Sequence, residues 1–104
     1  MLIYNTTYHI EIDHAKSFYI WLHEVYIPEV EKKGQNSLLK SPRICRILSH
    51  QENDSECLSL QWEVATSADL HTWHTQQGMA LNEEMMKIFK DKVIGIPTLM
   101  EVLD

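Results

Sequence analysis

From Leu2 to Asp13 the even positions read Leu2, Tyr4, Thr6, Tyr8, Ile10 and Ile12, and the odd ones Ile3, Asn5, Thr7, His9 and Glu11. A two-residue repeat places alternate side chains on opposite sides of an extended chain, so this segment reads as a strand with one apolar and one mixed face. The alternation returns from Cys57 to Val64, where Leu58, Leu60, Trp62 and Val64 interleave with Cys57, Ser59, Gln61 and Glu63. An apolar sheet face needs a cover, and the sequence between these strands supplies one in helical periodicity. After Asp13, the expected N-cap, Ala15, Phe18, Trp21, Leu22, Val25 and Val30 recur at three- and four-residue spacing, and Lys32, Lys33 and Gly34 end the segment. Pro28 removes one backbone donor and predicts a kink or early end near Val25 to Ile27.

Pro42 opens a further strand-like run, Arg43 to His50, and the polar cluster Gln51 to Ser55 links it to Cys57 to Val64 as a hairpin. Ser67 with Asp69 starts a second helical segment with the stripe Leu70, Trp73, His74, Gln77, Leu81, Met85, Ile88 and Phe89, which Gly78 divides. Val93 to Leu103 forms the last strand, and Gly95 and Pro97 within it suit an edge position. Strand, helix, strand, strand, helix, strand is the split βαβ order of a ferredoxin-like α+β domain: one domain over residues 1–104, an antiparallel sheet, both helices on one face. The even positions of the first and third strands then meet the helices. Asn5, Thr7, His9, Ser59, Gln61 and Glu63 fall on the other face, which is too mixed for a sealed core and too organised for a plain solvent face. A homodimer with sheets facing each other accounts for that mixture.

Composition narrows the function classes. Fifteen acidic against nine basic residues give a net charge of −6, the wrong sign for attraction to phosphate backbones or anionic lipid, so nucleic acid and membrane are not expected partners. No apolar run approaches the ~18 residues of a membrane span, and no leader pattern follows Met1, which together predict a cytoplasmic protein. Cys45 and Cys57 are too few for a disulfide framework and read as reduced, buried strand thiols.

The chemistry-bearing residues are scattered. His71 and His74, three apart on a helix, could reach one ion with His9 or His50 as third ligand, but so common a pairing does not establish a site, and no metal is expected. Trp21 and Trp62 lie on apolar stripes and read as core, as do Met79, Met85 and Met86, whereas Trp73 is left open between core and ligand contact. Glu11, Glu63, Glu83 and Glu84 form no acid/base pair by spacing. Lys40, Arg43 and Arg46 form a basic cluster that can hold an anion or, preferably, pair with Glu63 across the hairpin. The strongest pointer to a site is a break in pattern: His74 and Gln77 occupy stripe positions that should be apolar, and Gly78 comes directly after them. A pocket is therefore expected between Leu70 to Gln77 and the first strand, with Asn5, Trp73, His74 and Gln77 near it; a satisfied structural network would use the same residues.

The stretches IYNTTYH, WLHEVYIPEVEKKG, PRICRILSHQE, SLQWEV, LHTWHTQQG with LNEEM, and DKVIGIPTLMEV resemble, nearly end to end, a bacterial family of small proteins defined only as a domain of unknown function within the dimeric α+β barrels. That superfamily includes antibiotic-biosynthesis-type monooxygenases that need no cofactor, haem-degrading monooxygenases, stress-responsive proteins and small ligand-binding regulators. Asn5 and Trp73 are similar to an Asn and a Trp of the haem-degrading branch; where that branch carries its haem-ligating His, this chain holds Glu83 and Glu84. His74 resembles a His that many monooxygenase-type members carry at this helix start. The resemblance leaves three readings. The first is a cofactor-free homodimeric barrel that binds a small planar or aromatic molecule between sheet and helices. The second is a cofactor-independent monooxygenase using Asn5, Trp73 and His74, and the third a protein-interaction module without ligand.

Overall fold

Alternation along the first strand becomes the central axis of the molecule. The computed structural model describes residues 1–104: strand β1 (Leu2–Glu11), helix α1 (Ile12–Trp21), a π-helical turn (Leu22–Tyr26), helix α2 (Ile27–Glu31), strands β2 (Lys40–Arg46) and β3 (Ser55–Val64), helix α3 (Ser67–Trp73), a second π-helical turn (His74–Gly78), helix α4 (Met79–Phe89) and strand β4 (Val93–Glu101). The four strands form one antiparallel sheet in the order β2-β3-β1-β4, and the architecture is ferredoxin-like α+β. In the central β1–β3 pair Tyr4 faces Trp62, Thr6 faces Leu60 and Tyr8 faces Leu58, so the even positions of both strands share the helix-covered side. The core forms there, with Trp62, Phe18, Ile10, Leu22, Leu39, Leu60 and Val30 fully buried. The Phe18 ring lies edge-on to Tyr8 and Phe89 at centroid distances of 4.9 and 5.2 Å and joins sheet to both helical segments.

Both helical segments depart from the expected periodicity in the same way. Pro28 does not end the first, which continues to Glu31; upstream of it the ladder widens by one residue, and the Ile27 N–H bonds to Leu22 O, an i to i−5 bond. The extra residue rotates the helix downstream of it. Tyr26 takes the inward position expected of Val25, which is 38% exposed. In the second segment Gly78 does not divide the helix; it is ordinary right-handed helix at φ −63°, and Met79 N–H bonds to His74 O across the second π-turn. The buried residues run Trp73, Gly78, Leu81, Met85 and Phe89, leaving His74 and Ile88 exposed. What Gly78 provides is room: a Cβ there would stand 2.7 Å from Trp73 Cζ3.

Several boundaries differ from expectation for local reasons. Thr66 caps the second segment by accepting the Asp69 N–H at 3.0 Å, whereas the first starts at Ile12 with Asp13 inside its first turn, where its charge favours the helix N-terminus without capping it. Gly34 adopts φ +58° just past the first helical segment, as a C-terminal stop requires. Pro42 lies inside β2 rather than at its start, in a bulge where Ser41 has φ +56°; an edge strand tolerates the missing N–H. Met79 and Met86 are exposed instead of core, because the π-turn leaves only Met85 on the inner line. Cys45 is exposed on the edge strand while Cys57 is buried, and both are free thiols. Lys40 lies opposite Glu63 in register, but Arg46 pairs with Glu56 at 2.6 Å rather than with Glu63.

Two phenols complete the core. Burial pushes the Tyr8 and Tyr26 hydroxyls far above the ordinary tyrosine value; Tyr4 adds to the shift of both and Tyr8 to that of Tyr26, while hydrogen bonds with Thr6 and Tyr26 offset part of the shift at Tyr8. Both are neutral at any physiological pH.

Two sets of stability measurements check this description. Gly78→Ala should destabilise by about 1–3 kcal/mol, since the displaced Trp73 outweighs the usual helix gain of about 1 kcal/mol. Gly34→Ala meets no neighbour within 4 Å but holds a positive φ, and should cost about 1 kcal/mol without disturbing the tryptophan near-ultraviolet signal. A higher urea midpoint for Gly78→Ala would contradict the packing account. The raised phenols also fix a sign for pH. Folded protein keeps protons that the unfolded chain loses above pH ~10, so their stabilising contribution is complete below that value and falls as pH rises through it, by about 1.4 kcal/mol per pH unit per phenol. Tyr8→Phe and Tyr26→Phe should each flatten that alkaline slope by about half, and an unchanged slope in both would refute the burial of these hydroxyls.

Candidate functional site

Strand parity divides the candidate residues between two faces. On the helix side a cavity of about 280 Å³ lies between β1, β4 and the second helical segment. Its walls are Tyr4, Tyr8, Tyr26, Trp73, His74 and Met85, and its β4 side is formed by Gly95 and Pro97. Gly95 matters here because a Cβ would stand 3.0 Å from the Tyr8 ring, so the glycine lets that ring reach the edge strand. Tyr4 and Trp73 are tilted at 58° with centroids 5.9 Å apart. The buried Trp73 indole Nε1 has no acceptor within the protein. Beyond the rim a second depression, about 390 Å³, shares Tyr4, His74 and Pro97 with the first and adds Leu70, His71 and Leu99. His74 therefore stands between two hollows with its imidazole exposed. A wider depression of about 600 Å³ at the Met1, Ser37 and Lys40 end carries no aromatic side chain.

The structure brings Trp73 and His74 together but not all four expected residues. Asn5, at an odd position of β1, points to the uncovered side of the sheet, where its Oδ1 accepts from Ser59 Oγ and its Nδ2 donates to Thr7 Oγ1 at 3.1 Å. A common site for Asn5 and His74 is excluded by the strand's two-residue period. Gln77 faces the first helical segment: its Nε2 donates to the Glu29 carbonyl at 3.0 Å, capping a backbone acceptor near the end of α2 and tying the two helical segments together. His71 and His74 likewise cannot share an ion with His9 or His50, which belong to the open face. Sequence reasoning missed Tyr4, Tyr8 and Tyr26. The first two were readable as hydroxyl-bearing residues four apart on the inward line of the strand; Tyr26 was hidden by the π-turn.

The open face carries the mixture read from the sequence. Ile3 pairs with Met100, Thr7 with Ile96 and His9 with Ile94, so apolar side chains flank a band of Asn5, Thr7, Ser59 and Gln61. Ile94 and Ile96 are more than half exposed in the single chain. The helix-side cavity can thus hold a flat ring between aromatic walls, offer neutral phenols to a polar substituent, and accept or give a proton at His74. No carboxylate lines it.

Solved structures share this fold across the whole chain. A proposed antibiotic biosynthesis monooxygenase from Deinococcus radiodurans matches with TM-score 0.70 and 17% identity, covering 100% of this chain and 94% of that one. An ethyl tert-butyl ether D (EthD) family protein from Bacillus halodurans matches with TM-score 0.66 and 15% identity, covering 99% of this chain and 100% of that one. At such identities the likeness speaks for the fold. No curated protein matches the sequence. The family model for a domain of unknown function, DUF4286, matches residues 1–103, and the chain belongs to that family.

Proposed function

We propose that this protein is a cytoplasmic homodimeric α+β barrel that binds a small planar or aromatic molecule between sheet and helices, in the cavity beside Trp73 and His74. The observation that carries the reading is the chemistry of the cavity wall: Tyr4, Tyr8, Tyr26 and Trp73 surround about 280 Å³, with one imidazole at the mouth. That volume is at the small end for ligand sites and suits a one- or two-ring compound. Support for the dimer comes from the other face, where Ile3, Ile94, Ile96 and Met100 form an apolar frame around hydrogen-bonded polar groups, a pattern suited to a second sheet. No helix is long and apolar enough to cross a membrane.

A second reading is favoured by the exposed imidazole itself. In cofactor-independent oxygenation of an electron-rich phenol or quinol, His74 would take the substrate proton while Trp73 and the phenols hold the ring. This would run without Asn5, whose side chain lies across the sheet.

His74→Ala should leave stability within about 1 kcal/mol, since the side chain is exposed, yet weaken binding of a naphthol-type probe, followed by tryptophan fluorescence, at least about tenfold. Equal affinity in the variant and the native protein would sink the binding reading. Loss of about 2 kcal/mol or more of stability would mark His74 as structural. Turnover of a naphthoquinol in air, lost in His74→Ala, separates the oxygenase from the binding protein. Light scattering at micromolar concentration should give twice the 12.2 kDa chain mass, and Ile96→Asp should return it to the single-chain value.

A further inference from the structure

Away from the aromatic cavity, on the open sheet face, three side chains far apart in sequence converge. His9 comes from β1, Cys57 from β3, and His50 from the turn beyond β2; the ligating atoms of all three lie within 4.8 Å of one another. The backbone explains the meeting. His9 and Cys57 are direct partners in the β1–β3 ladder. Ile12 N–H bonds to Asp54 O at 2.9 Å, and bonded pairs alternate along an antiparallel ladder, so His9–Cys57 is a non-hydrogen-bonded pair, the kind in which side chains stand closest. Cys57 O instead accepts the Ile47 N–H at 2.9 Å, which carries the β2 side of the hairpin past the end of the strand. His50 N–H then bonds back to Ile47 O at 3.4 Å, and this turn brings the His50 ring within 5.9 Å of the His9 ring.

The His50 ring is also oriented. Its Nε2 lies 2.7 Å from Ser55 Oγ, and the Ser55 hydroxyl donates to Glu52 Oε2 at 3.0 Å. With its own proton committed to Glu52, Ser55 can only accept from His50, so Nε2 carries the hydrogen and Nδ1 presents a lone pair. A carboxylate acting through a donor to fix the tautomer of an imidazole is the usual outer support of a metal-ligating histidine.

We propose that His9, His50 and Cys57 form a binding site for one Zn²⁺ ion, with His50 ligating through Nδ1 and the fourth position open. Imidazole nitrogen with thiolate sulfur selects a borderline-soft divalent cation over Mg²⁺ or Ca²⁺. Tetrahedral bonding at about 2.0 Å to nitrogen and 2.3 Å to sulfur sets ligand atoms about 3.5 Å apart. The three ligand atoms, already within 4.8 Å of one another, must close by about 1 Å to reach that separation. The Zn–S bond forms as the Cys57 thiol proton passes to solvent. Spacing in sequence could not reveal the site, because a strand pair and a turn assemble it. An absence of metal, expected from spacing alone, is therefore replaced by a specific site.

Chelator-washed protein, titrated with zinc against a chromophoric chelator, should take up one equivalent per chain with a dissociation constant of about 1 μM or tighter. Cobalt(II) in place of zinc should give a thiolate-to-metal charge-transfer band that Cys57→Ser abolishes. His9→Ala and His50→Ala should each weaken zinc by at least about 100-fold, with circular dichroism unchanged, while His71→Ala binds as the native protein does. His50 lies in a turn, so its variant remains a fair test even if Cys57→Ser fails to fold. Absence of a stoichiometric site, equal zinc affinity in the two histidine variants and the native protein, or a cobalt spectrum without the thiolate band would each overturn the proposal.

Discussion

A strand residue must choose a face, and the β1–β3 ladder at the centre of the sheet makes that choice for the whole molecule. Its register sets Tyr4, Thr6 and Tyr8 against Trp62, Leu60 and Leu58 and commits the even positions of both strands to the helices. A one-residue slip of β1 against β3 would turn β1 over and set Asn5 and Thr7 against the helices in place of Tyr4, Thr6 and Tyr8, costing both the apolar contacts and the Asn5 hydrogen bond to Ser59. The chain has one pair of helical segments to spend, so one face gains a core and the other stays open. Both proposed sites arise from this division: aromatic walls on the covered face, a histidine–cysteine cluster on the uncovered one.

The two π-turns adapt the helices to that sheet. Each inserts one residue where a straight helix would carry its inner line away from the core, and each lies opposite chemically unusual residues. The first brings Tyr26 inward beside Tyr8. The second turns the Trp73 ring over Gly78 and leaves His74 at the mouth of the cavity. Widened turns are costly in hydrogen-bond geometry and recur at functional positions. Gln77, within the second turn, bonds across to Glu29 and holds the two helical segments in register, which gives this stretch a structural duty beside any contact with ligand.

Much of this was legible in the sequence because strand periodicity is local and strict. Leu58, Leu60, Trp62 and Val64 announced their burial, and Gly95 with Pro97 announced an edge strand. Helical phase was less legible. Nothing local marks a π-turn, so helical spacing puts Val25 where Tyr26 stands, and turns His74 and Gln77 inward although one is exposed and the other bonds to the neighbouring helix. The expected grouping of Asn5 with Trp73 failed on parity, a rule already visible in the sequence, and the resemblance to haem-degrading proteins drew the two together. His9, His50 and Cys57 were beyond sequence reasoning, since their meeting depends on strand register and on a turn whose path no periodicity specifies.

The central claim is that the planar ligand binds on the helix-covered face, and side-chain resonances on the two faces report on it directly. In a nitrogen-15 correlation spectrum of the native protein titrated with a naphthol-type probe, the Trp73 indole N–H and the Gln77 side-chain amide can be followed together with the Asn5 amide. The account predicts a large saturable shift of the Trp73 signal with the Asn5 signal nearly still. A saturable shift at Asn5 with Trp73 unmoved would place binding on the open face and contradict it.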